Sequence, residues 1–137
     1  MIESAEEYFR LYDTEERSVS DRCVYDTAPL EVWFEVIRRS PAPERKSWVI
    51  QNKTIPLEVL AYLANDEDCD VRADVARKRK LSLPLFEKLS KDVDVQVRRA
   101  IVANRKVPIH IVERLANDDS EEVSEIAREV LEELGSK

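Results

Sequence analysis

Hydrophobic residues recur at intervals of 26 positions along most of this chain. Two columns of mostly large apolar residues show the interval in five successive units. The first column contains Leu11, Ile37, Leu63, Leu89 and Leu115, and the second contains Tyr8, Phe34, Leu60, Phe86 and Val112. A fixed period of this length is typical of repeat proteins. We therefore predict a single domain over residues 1–137, made of five repeats at approximately 4–29, 30–55, 56–81, 82–107 and 108–133.

Each repeat contains two short apolar stripes with the spacing of a helix. In the third repeat Leu60 and Ala64 belong to the first stripe, and Pro56 precedes it at a position where a missing amide hydrogen is harmless. We predict helix A at about 56–65 and helix B at about 70–79. Neither helix buries its stripe alone. The pairs are therefore expected to stack as an all-α, right-handed α-solenoid of helix-turn-helix repeats.

Two polar columns follow the same period. The first holds Thr14, Ser40, Asp66, Asp92 and Asp118, and the second holds Asn52, Lys78 and Asn104. Side chains of the first type accept hydrogen bonds from free amides at the start of a helix, each worth about 1 kcal/mol, so this column is interpreted as a recurring helix boundary. Asparagine tolerates the left-handed conformation that ends many helices. The second column is therefore interpreted as a set of C-terminal caps.

The third repeat carries the pattern L-A-x-D-x-D-x-x-V-R-x-x-V-A, and the fourth repeats it with small changes. This pattern resembles the leucine-rich repeat variant group and related HEAT-like repeats, most closely over residues 56–107. The resemblance implies a hydrogen-bonded ladder between neighbouring repeats, in which Asp66 matches with Arg72 and Asp92 with Arg98. In the last repeat the motif is incomplete, because a serine replaces the arginine. Such families imply a fold rather than a function, since their members include binding scaffolds, lyases and DNA-repair enzymes.

Composition narrows the classes of function. Charged residues make up 37% of the chain, and the formal net charge of -7 excludes a surface built wholly to neutralise phosphate. Cys23 and Cys69 have no metal-binding spacing, so we expect a reducing compartment, no metal and no cofactor. Two cysteines are also too few for the cysteine-ligated cluster that accompanies some leucine-rich repeat variants. No signal peptide or membrane span is recognisable, so a cytoplasmic, monomeric protein is expected.

Positive charge is concentrated in the links from helix B to the next helix A. These residues are Lys53, Arg77, Lys78, Arg79, Lys80, Arg105 and Lys106, here termed the basic edge. The turns from A to B are rich in Asp and Glu instead. A ten-residue helix separates the two borders by about 15 Å, more than the Debye length of about 8 Å in physiological salt. The basic edge is interpreted either as solvated charge near helix C-termini or as a surface for an acidic partner.

A second set of candidates follows the predicted face of the B helices. It consists of Trp48, Arg72, Asp74, Arg98 and Arg99. Asp74 stands in a column that is apolar in three of the other four repeats, where its carboxylate either pairs with a nearby Arg or Lys or faces a ligand groove. Trp33 and Phe34 are expected in the core, and His110 on the surface.

No catalytic residue is assigned. His110 is the only histidine and has no Ser or Cys partner in a recognisable motif, and the chain has no glycine-rich phosphate loop. A DNA glycosylase or a lyase that works in the groove is the remaining enzymatic alternative. The observations favour a non-catalytic protein-interaction module that binds a partner protein through the B-helix face and the basic edge. The alternative is a HEAT-like nucleic-acid-binding or DNA-repair protein that uses the same edge.

Overall fold

The computed structural model describes residues 1–135 and contains, in that range, eleven α-helices and no β-strand, which confirms the all-α prediction. The helices are α1 (Ala5–Asp13), α2 (Arg17–Ser20), α3 (Arg22–Tyr25), α4 (Leu30–Arg39), α5 (Pro43–Gln51), α6 (Leu57–Leu63), α7 (Cys69–Ala76), α8 (Leu83–Ser90), α9 (Val95–Ala103), α10 (Ile109–Leu115) and α11 (Glu121–Gly135). They form two compact units: Met1–Leu63 with α1 to α6, and a second unit that starts at Ala64 and contains α7 to α11.

The helices begin at the interval found in the sequence. The series α6, α8, α10 starts at Leu57, Leu83 and Ile109, and the series α7, α9, α11 starts at Cys69, Val95 and Glu121. Successive starts within each series are 26 residues apart. The predicted helices A and B of the third repeat correspond to α6 and α7, each a few residues shorter than expected. The basic run 77–80 lies beyond the end of α7, so its side chains belong to a link.

The first unit is built around α1 and α4. Helix α1 packs against α2, α3 and α4, and α4 also packs against α5 and α6. The largest buried side chains of this unit include Ile2, Tyr8, Trp33, Val36, Val49, Ile50, Val59, Leu60 and Leu63. Asp21 separates α2 from α3, in the repeat where the sequence pattern is weakest. Arg22 joins this region together, because its guanidinium lies 3.0 Å from Glu7 and 2.6 Å from Asp26.

In the second unit, three helices that begin at the sequence period lie in contact. Helix α9 packs against both α7 and α11, while α8 and α10 contact each other and also α9. The core is aliphatic apart from one phenylalanine, and includes Val71, Val75, Leu85, Phe86, Leu89, Val97, Ile101, Ile111, Val112, Leu115, Val123 and Ala127. Helix α11 extends to Gly135. The two apolar columns of the sequence therefore supply Phe86, Leu89, Val112 and Leu115 to this core.

An arginine in each of two helices of the second unit spans neighbouring repeats. Arg72 in α7 contacts Asp92, which lies before α9: Nε is 2.9 Å from Oδ2 and Nη2 is 3.1 Å from Oδ1. Its Nη1 donates to the carbonyl oxygens of Asp66 and Glu67, at 2.8 and 3.2 Å. The hydrogen bond from Arg72 to Asp92 raises the pKa of the guanidinium. The Arg72 side chain thus binds backbone carbonyls of the turn before α7 and the carboxylate of the turn before α9.

The same arrangement recurs one repeat later. Arg98 in α9 lies 2.9 and 3.2 Å from the two carboxylate oxygens of Asp118, and its Nη1 donates to the carbonyls of Asp92 and Val93. The side chains of Arg98 and Asp118 are only 16% and 9% exposed. At Ser124, where the motif is incomplete, the hydroxyl donates instead to the carbonyl of Glu121. The predicted Asp–Arg ladder is therefore present, with two rungs in this unit.

The first polar column marks a boundary, but it does not cap the following helix. The carboxylates of Asp66, Asp92 and Asp118 each accept the amide two residues later, at 2.9 to 3.0 Å. The N-caps are the residues two positions further on, Asp68 and Asp94, and Ser120 plays the corresponding role before α11. In the first unit, Thr14 and Ser40 end α1 and α4. The column therefore marks a helix boundary, as predicted, whereas the side chains that cap the following helix lie two positions later.

The asparagine column lies at the C-terminal ends of α5 and α9, as predicted, but its backbone conformation and its side-chain contacts differ from the prediction. Asn52 and Asn104 have ordinary negative φ values of -61° and -69°, so neither adopts a left-handed conformation. Both are buried, and their side-chain amides donate to backbone carbonyls at the C-terminal end of the helix one repeat earlier. Nδ2 of Asn104 donates to the carbonyls of Ala76 and Lys78, each at 2.8 Å, and its Oδ1 accepts from the amide of Lys106.

Asn52 makes the equivalent contacts within the first unit. Its Nδ2 donates to the carbonyls of Cys23 and Asp26 at 2.8 and 2.9 Å, and its Oδ1 accepts from the amide of Thr54 at 2.8 Å. Helix C-termini leave carbonyls without intrahelical partners. Each asparagine therefore supplies donors to the end of the preceding B helix.

Two buried polar atoms of the first unit have no hydrogen-bond partner among the described residues: the hydroxyl of Tyr8 and the indole nitrogen of Trp33. Their rings meet edge to face, with centroids 5.8 Å apart. Burial raises the pKa of the Tyr8 phenol. The two aromatic rings contribute to the core through packing rather than through polar contacts.

Replacing Arg98 by alanine is expected to lower the free energy of unfolding by about 2–4 kcal/mol, because Asp118 would lose its buried partner. Urea denaturation followed by circular dichroism measures the change. Arg128→Ala, on an exposed position of α11, is the matched control and is expected to change stability by less than about 0.5 kcal/mol. Equal effects of the two substitutions would contradict a structural role for the ladder.

Asn104→Asp is expected to destabilise the protein at neutral pH by about 2–4 kcal/mol, since a carboxylate cannot donate to the two carbonyls and would be repelled by them. Asn117→Asp, in the exposed turn after α10, is the control with the same change of charge. Thermal unfolding of both variants distinguishes them, and an unchanged Tm for Asn104→Asp would show that the inter-repeat cap is unimportant.

Tyr8→Phe is expected to leave the free energy of unfolding unchanged or to raise it slightly. The buried hydroxyl loses its hydrogen bonds to water on folding and gains none from residues 1–135, so its removal costs little. Tyr12→Phe serves as the comparison in urea denaturation. A loss of more than about 1 kcal/mol in Tyr8→Phe would show that the hydroxyl is hydrogen-bonded in solution.

Candidate functional site: a cationic groove

Four arginines line one groove on the second unit. The groove has a volume of about 400 Å³ and is formed by Arg77, Arg79, Gln96, Arg99, Ala100, Ala103, Asn104, Arg105 and Ile126. Helix α9 supplies its central part, because Gln96, Ala100 and Ala103 are spaced by four and three residues and share one helix face. The links after α7 and α9 supply Arg79 and Arg105. The groove therefore has an apolar floor and cationic sides.

The four arginines differ in their partners. Arg77 pairs with Asp74 at 2.8 Å, and Arg99 pairs with Glu122 at 2.8 Å. Arg79 and Arg105 form no ion pair with any acidic side chain in the part of the chain that the structure describes. Both are exposed at the groove. Two guanidinium groups are thus available to a ligand, and two are already neutralised.

Three of the seven residues of the predicted basic edge line one groove. Arg77, Arg79 and Arg105 line the same groove, and Lys80 and Lys106 are exposed beside the last two. Lys78 is half-buried, and its carbonyl accepts the hydrogen bond from Asn104. Lys53 is exposed in the first unit, where its amide donates to the carbonyl of Val24 at 2.6 Å.

The candidates on the B-helix face separate into different roles. Arg72 and Arg98 are occupied by the ladder, with most of their side chains covered. Asp74 pairs with Arg77, which confirms the structural interpretation of that carboxylate. Arg99 lines the groove. Trp48 is 43% exposed in the first unit, with its ring edge-to-face against Tyr12.

Sequence reasoning missed part of the groove floor. Gln96 and Ala103 carried no signal of their own, because a polar and a small residue on an exposed helix face are common. The usable signal was their spacing on α9 relative to Ala100. Since the groove also needs Ile126 from α11, only the packing of α9 against α11 defines it.

Other predicted positions show one correction. Trp33 is fully buried, as expected. Phe34 is only half-buried, so its assignment to the core was wrong; its ring packs at right angles against that of Tyr62, with centroids 5.4 Å apart. His110 is exposed, as predicted, and lies 2.7 Å from Glu87. His110 and Arg114 hold the pKa of Glu87 below its usual range.

The remaining reactive groups have structural surroundings. Cys23 is 2% exposed, and burial raises the pKa of its thiol to about 11, which disfavours the nucleophilic thiolate. Ligand atoms of Asp68, Cys69 and Asp70 lie within 4.8 Å of one another, but Asp68 caps α7 with the same carboxylate. None of the helices within residues 1–135 has the length and apolar composition needed to cross a lipid bilayer.

Comparison of the chain with known proteins gave no match to a family model, to a curated protein or to a solved structure.

Proposed function

We propose that this protein is a non-catalytic interaction module that binds an acidic segment of a partner protein in the cationic groove. The observation that carries the proposal is the presence of two unpaired guanidinium groups, Arg79 and Arg105, beside an apolar floor. Arginine binds carboxylates through two parallel N–H donors, so each group fits one acidic side chain. The floor formed by Ala100, Ala103 and Ile126 fits an apolar side chain between them.

The proposal includes the α-solenoid architecture of five 26-residue repeats. The regular spacing of helix starts and the two rungs of the Asp–Arg ladder support it. In a solenoid, successive B-to-A links fall on one border, which explains why arginines 26 residues apart line one groove. We also propose that the protein acts as a monomer in the cytoplasm, in keeping with its two free thiols.

An acidic protein segment fits the groove better than nucleic acid does. Duplex DNA binding with strong salt dependence uses about six to ten phosphate contacts. The second unit offers four exposed basic-edge cations without an ion pair among the described residues, namely Arg79, Lys80, Arg105 and Lys106. Asp74 and Glu122 neutralise Arg77 and Arg99, so these two guanidinium groups do not add to that number. Nucleic acid is therefore the second outcome of the test.

Reversing both arginines, Arg79→Glu with Arg105→Glu, is expected to abolish capture of the partner and leave helical circular dichroism nearly unchanged, because neither residue forms an ion pair within residues 1–135. Fluorescence anisotropy with a labelled peptide of alternating Asp and Leu measures binding directly. We expect an affinity loss of at least about tenfold, equal to about 1.4 kcal/mol. A pull-down from the native host, followed by mass spectrometry, identifies the partner.

The matched control is Lys88→Glu with Arg128→Glu, which makes the same change of charge at exposed positions outside the groove. It is expected to retain most of the peptide binding. A labelled DNA duplex, titrated at low and at physiological salt, separates the two ligand classes. Tighter binding of the duplex than of the acidic peptide would overturn the assignment to a protein partner, and peptide binding that survives the double reversal would remove the groove from the mechanism.

A further inference from the structure

A second groove lies in the first unit and is lined by aromatic and acidic side chains. It has a volume of about 680 Å³ and is formed by Glu31, Phe34, Glu35, Ile37, Arg38, Pro41, Lys46 and Tyr62. Helix α4 supplies Glu31, Phe34, Glu35 and Arg38, which share one helix face because they are spaced by three, one and three residues. Tyr62 comes from α6, which packs against α4.

The aromatic pair in this groove is unusually open. Phe34 belongs to a column whose other members, Tyr8, Leu60, Phe86 and Val112, are all buried, whereas Phe34 itself is half-buried. Tyr62 is 57% exposed and meets Phe34 at an interplanar angle of 89°. No other part of the described first unit covers this pair fully. Large aromatic surface of this kind favours contact with a ligand.

An unpaired carboxylate stands beside the rings. Glu31 forms no ion pair with a described residue. It also replaces an apolar residue, since the corresponding positions in the other repeats hold Ala5, Leu57, Leu83 and Ile109. Glu35 differs, because its carboxylate lies 3.7 Å from Arg38 and 3.9 Å from Arg39. One full negative charge therefore remains next to the aromatic pair.

We propose that this groove binds the arginine side chain of a partner protein. A guanidinium is planar, stacks on aromatic faces and donates two parallel hydrogen bonds to a carboxylate. Phe34 and Tyr62 provide the aromatic surface, and Glu31 provides the carboxylate. The site is independent of the cationic groove and takes a ligand of opposite charge.

The same unit already contains aromatic rings that hold guanidinium groups. The guanidinium carbon of Arg45 lies 4.2 Å from the ring centroid of Tyr12 and 4.9 Å from that of Phe9. Arg39 lies 5.3 Å from the ring of Phe9. These contacts are intramolecular, whereas no cation of the described residues lies over the ring of Phe34 or Tyr62. Stacking of a guanidinium on an aromatic ring therefore already occurs elsewhere in the same unit.

The two cations of the groove leave room for this ligand. Arg38 is committed to Glu35, and its side chain is 75% exposed, so it extends into solvent. Lys46 already has an interaction partner. A groove controlled by the charge of Lys46 would bind an anionic ligand, whereas one controlled by Glu31 binds a cationic ligand. The charge of the preferred ligand therefore tests the proposal.

The test uses the full chain, isotopically labelled, and NMR titration with acetyl-Gly-Arg-Gly-amide. Three matched peptides replace the arginine by citrulline, norleucine or glutamate. We expect the arginine peptide to shift the ring signals of Phe34 and Tyr62. Citrulline, which keeps the shape and loses the charge, is expected to bind about fivefold more weakly, the scale of an exposed cation–π contact. Equal binding of the arginine and citrulline peptides, or preference for glutamate, would overturn the proposal.

Two variants assign the binding to named residues. Glu31→Gln is expected to weaken the arginine peptide about threefold and to leave the citrulline peptide unaffected, on the scale of an exposed ion pair. Glu15→Gln, in the exposed loop after α1, is the control of equal charge. Tyr62→Leu, which keeps an apolar side chain, is expected to remove the discrimination between arginine and norleucine. Unchanged binding of the arginine peptide in both Glu31→Gln and Tyr62→Leu would also overturn the proposed arginine site.

The double reversal of Arg79 and Arg105 is expected to leave binding of the arginine peptide unchanged, because those residues belong to the second unit. Failure of the acidic-peptide assay therefore leaves this site untouched. Likewise, absence of any shift at Phe34 and Tyr62 with the arginine peptide overturns the aromatic site alone. The two assays report on the two grooves separately.

Discussion

The second unit depends on guanidinium groups that each hold two repeats at once. Arg98 donates to the carbonyls of its own turn and to the carboxylate of the next, so one side chain satisfies four hydrogen bonds in a mostly covered position. Removal of either partner would leave a charge with little water around it, which is costly. This constraint fixes the distance between successive turns. The positions of the helices that follow, and of the links between them, depend on it.

The inter-repeat asparagines act at the opposite end of the B helices. The side-chain Nδ2 of Asn104 donates to the carbonyls at the end of α7, and its Oδ1 accepts a hydrogen bond from the amide of Lys106 in the following link. Ladder and asparagine together tie both ends of α9 to its neighbours. A groove on the face of α9 is consequently held by contacts on two sides, and its floor needs no loop to close over it.

Charge on this protein is divided between structural and available groups. Arg72 and Arg98 are consumed by the ladder, and Arg77 and Arg99 are paired at the surface, where the net contribution of each pair to stability is small. Among the described residues without an ion pair are the link cations Arg79, Lys80, Arg105 and Lys106 of the second unit, which are exposed. In the first unit one such group is the carboxylate of Glu31, which lines the groove that contains the open aromatic pair. The proposed ligands of the two grooves therefore differ in sign, although the chain as a whole is acidic.

The sequence alone determined the period and the approximate positions of the helices in the third repeat, because apolar residues three and four apart specify a helix and a column repeated at a fixed interval marks equivalent positions. The contact between Asp and Arg of neighbouring repeats was implied only by the resemblance to HEAT-like repeats. Even so, the acceptors of Asn104 lie 26 and 28 residues away in the chain, and a cap on its own helix was the simpler interpretation. Only the tertiary structure decided which cations stay unpaired, that Phe34 is left half-open, and that Ile126 joins α9 in one groove. Those outcomes depend on distances between side chains of different helices, which residue identity and local spacing do not specify.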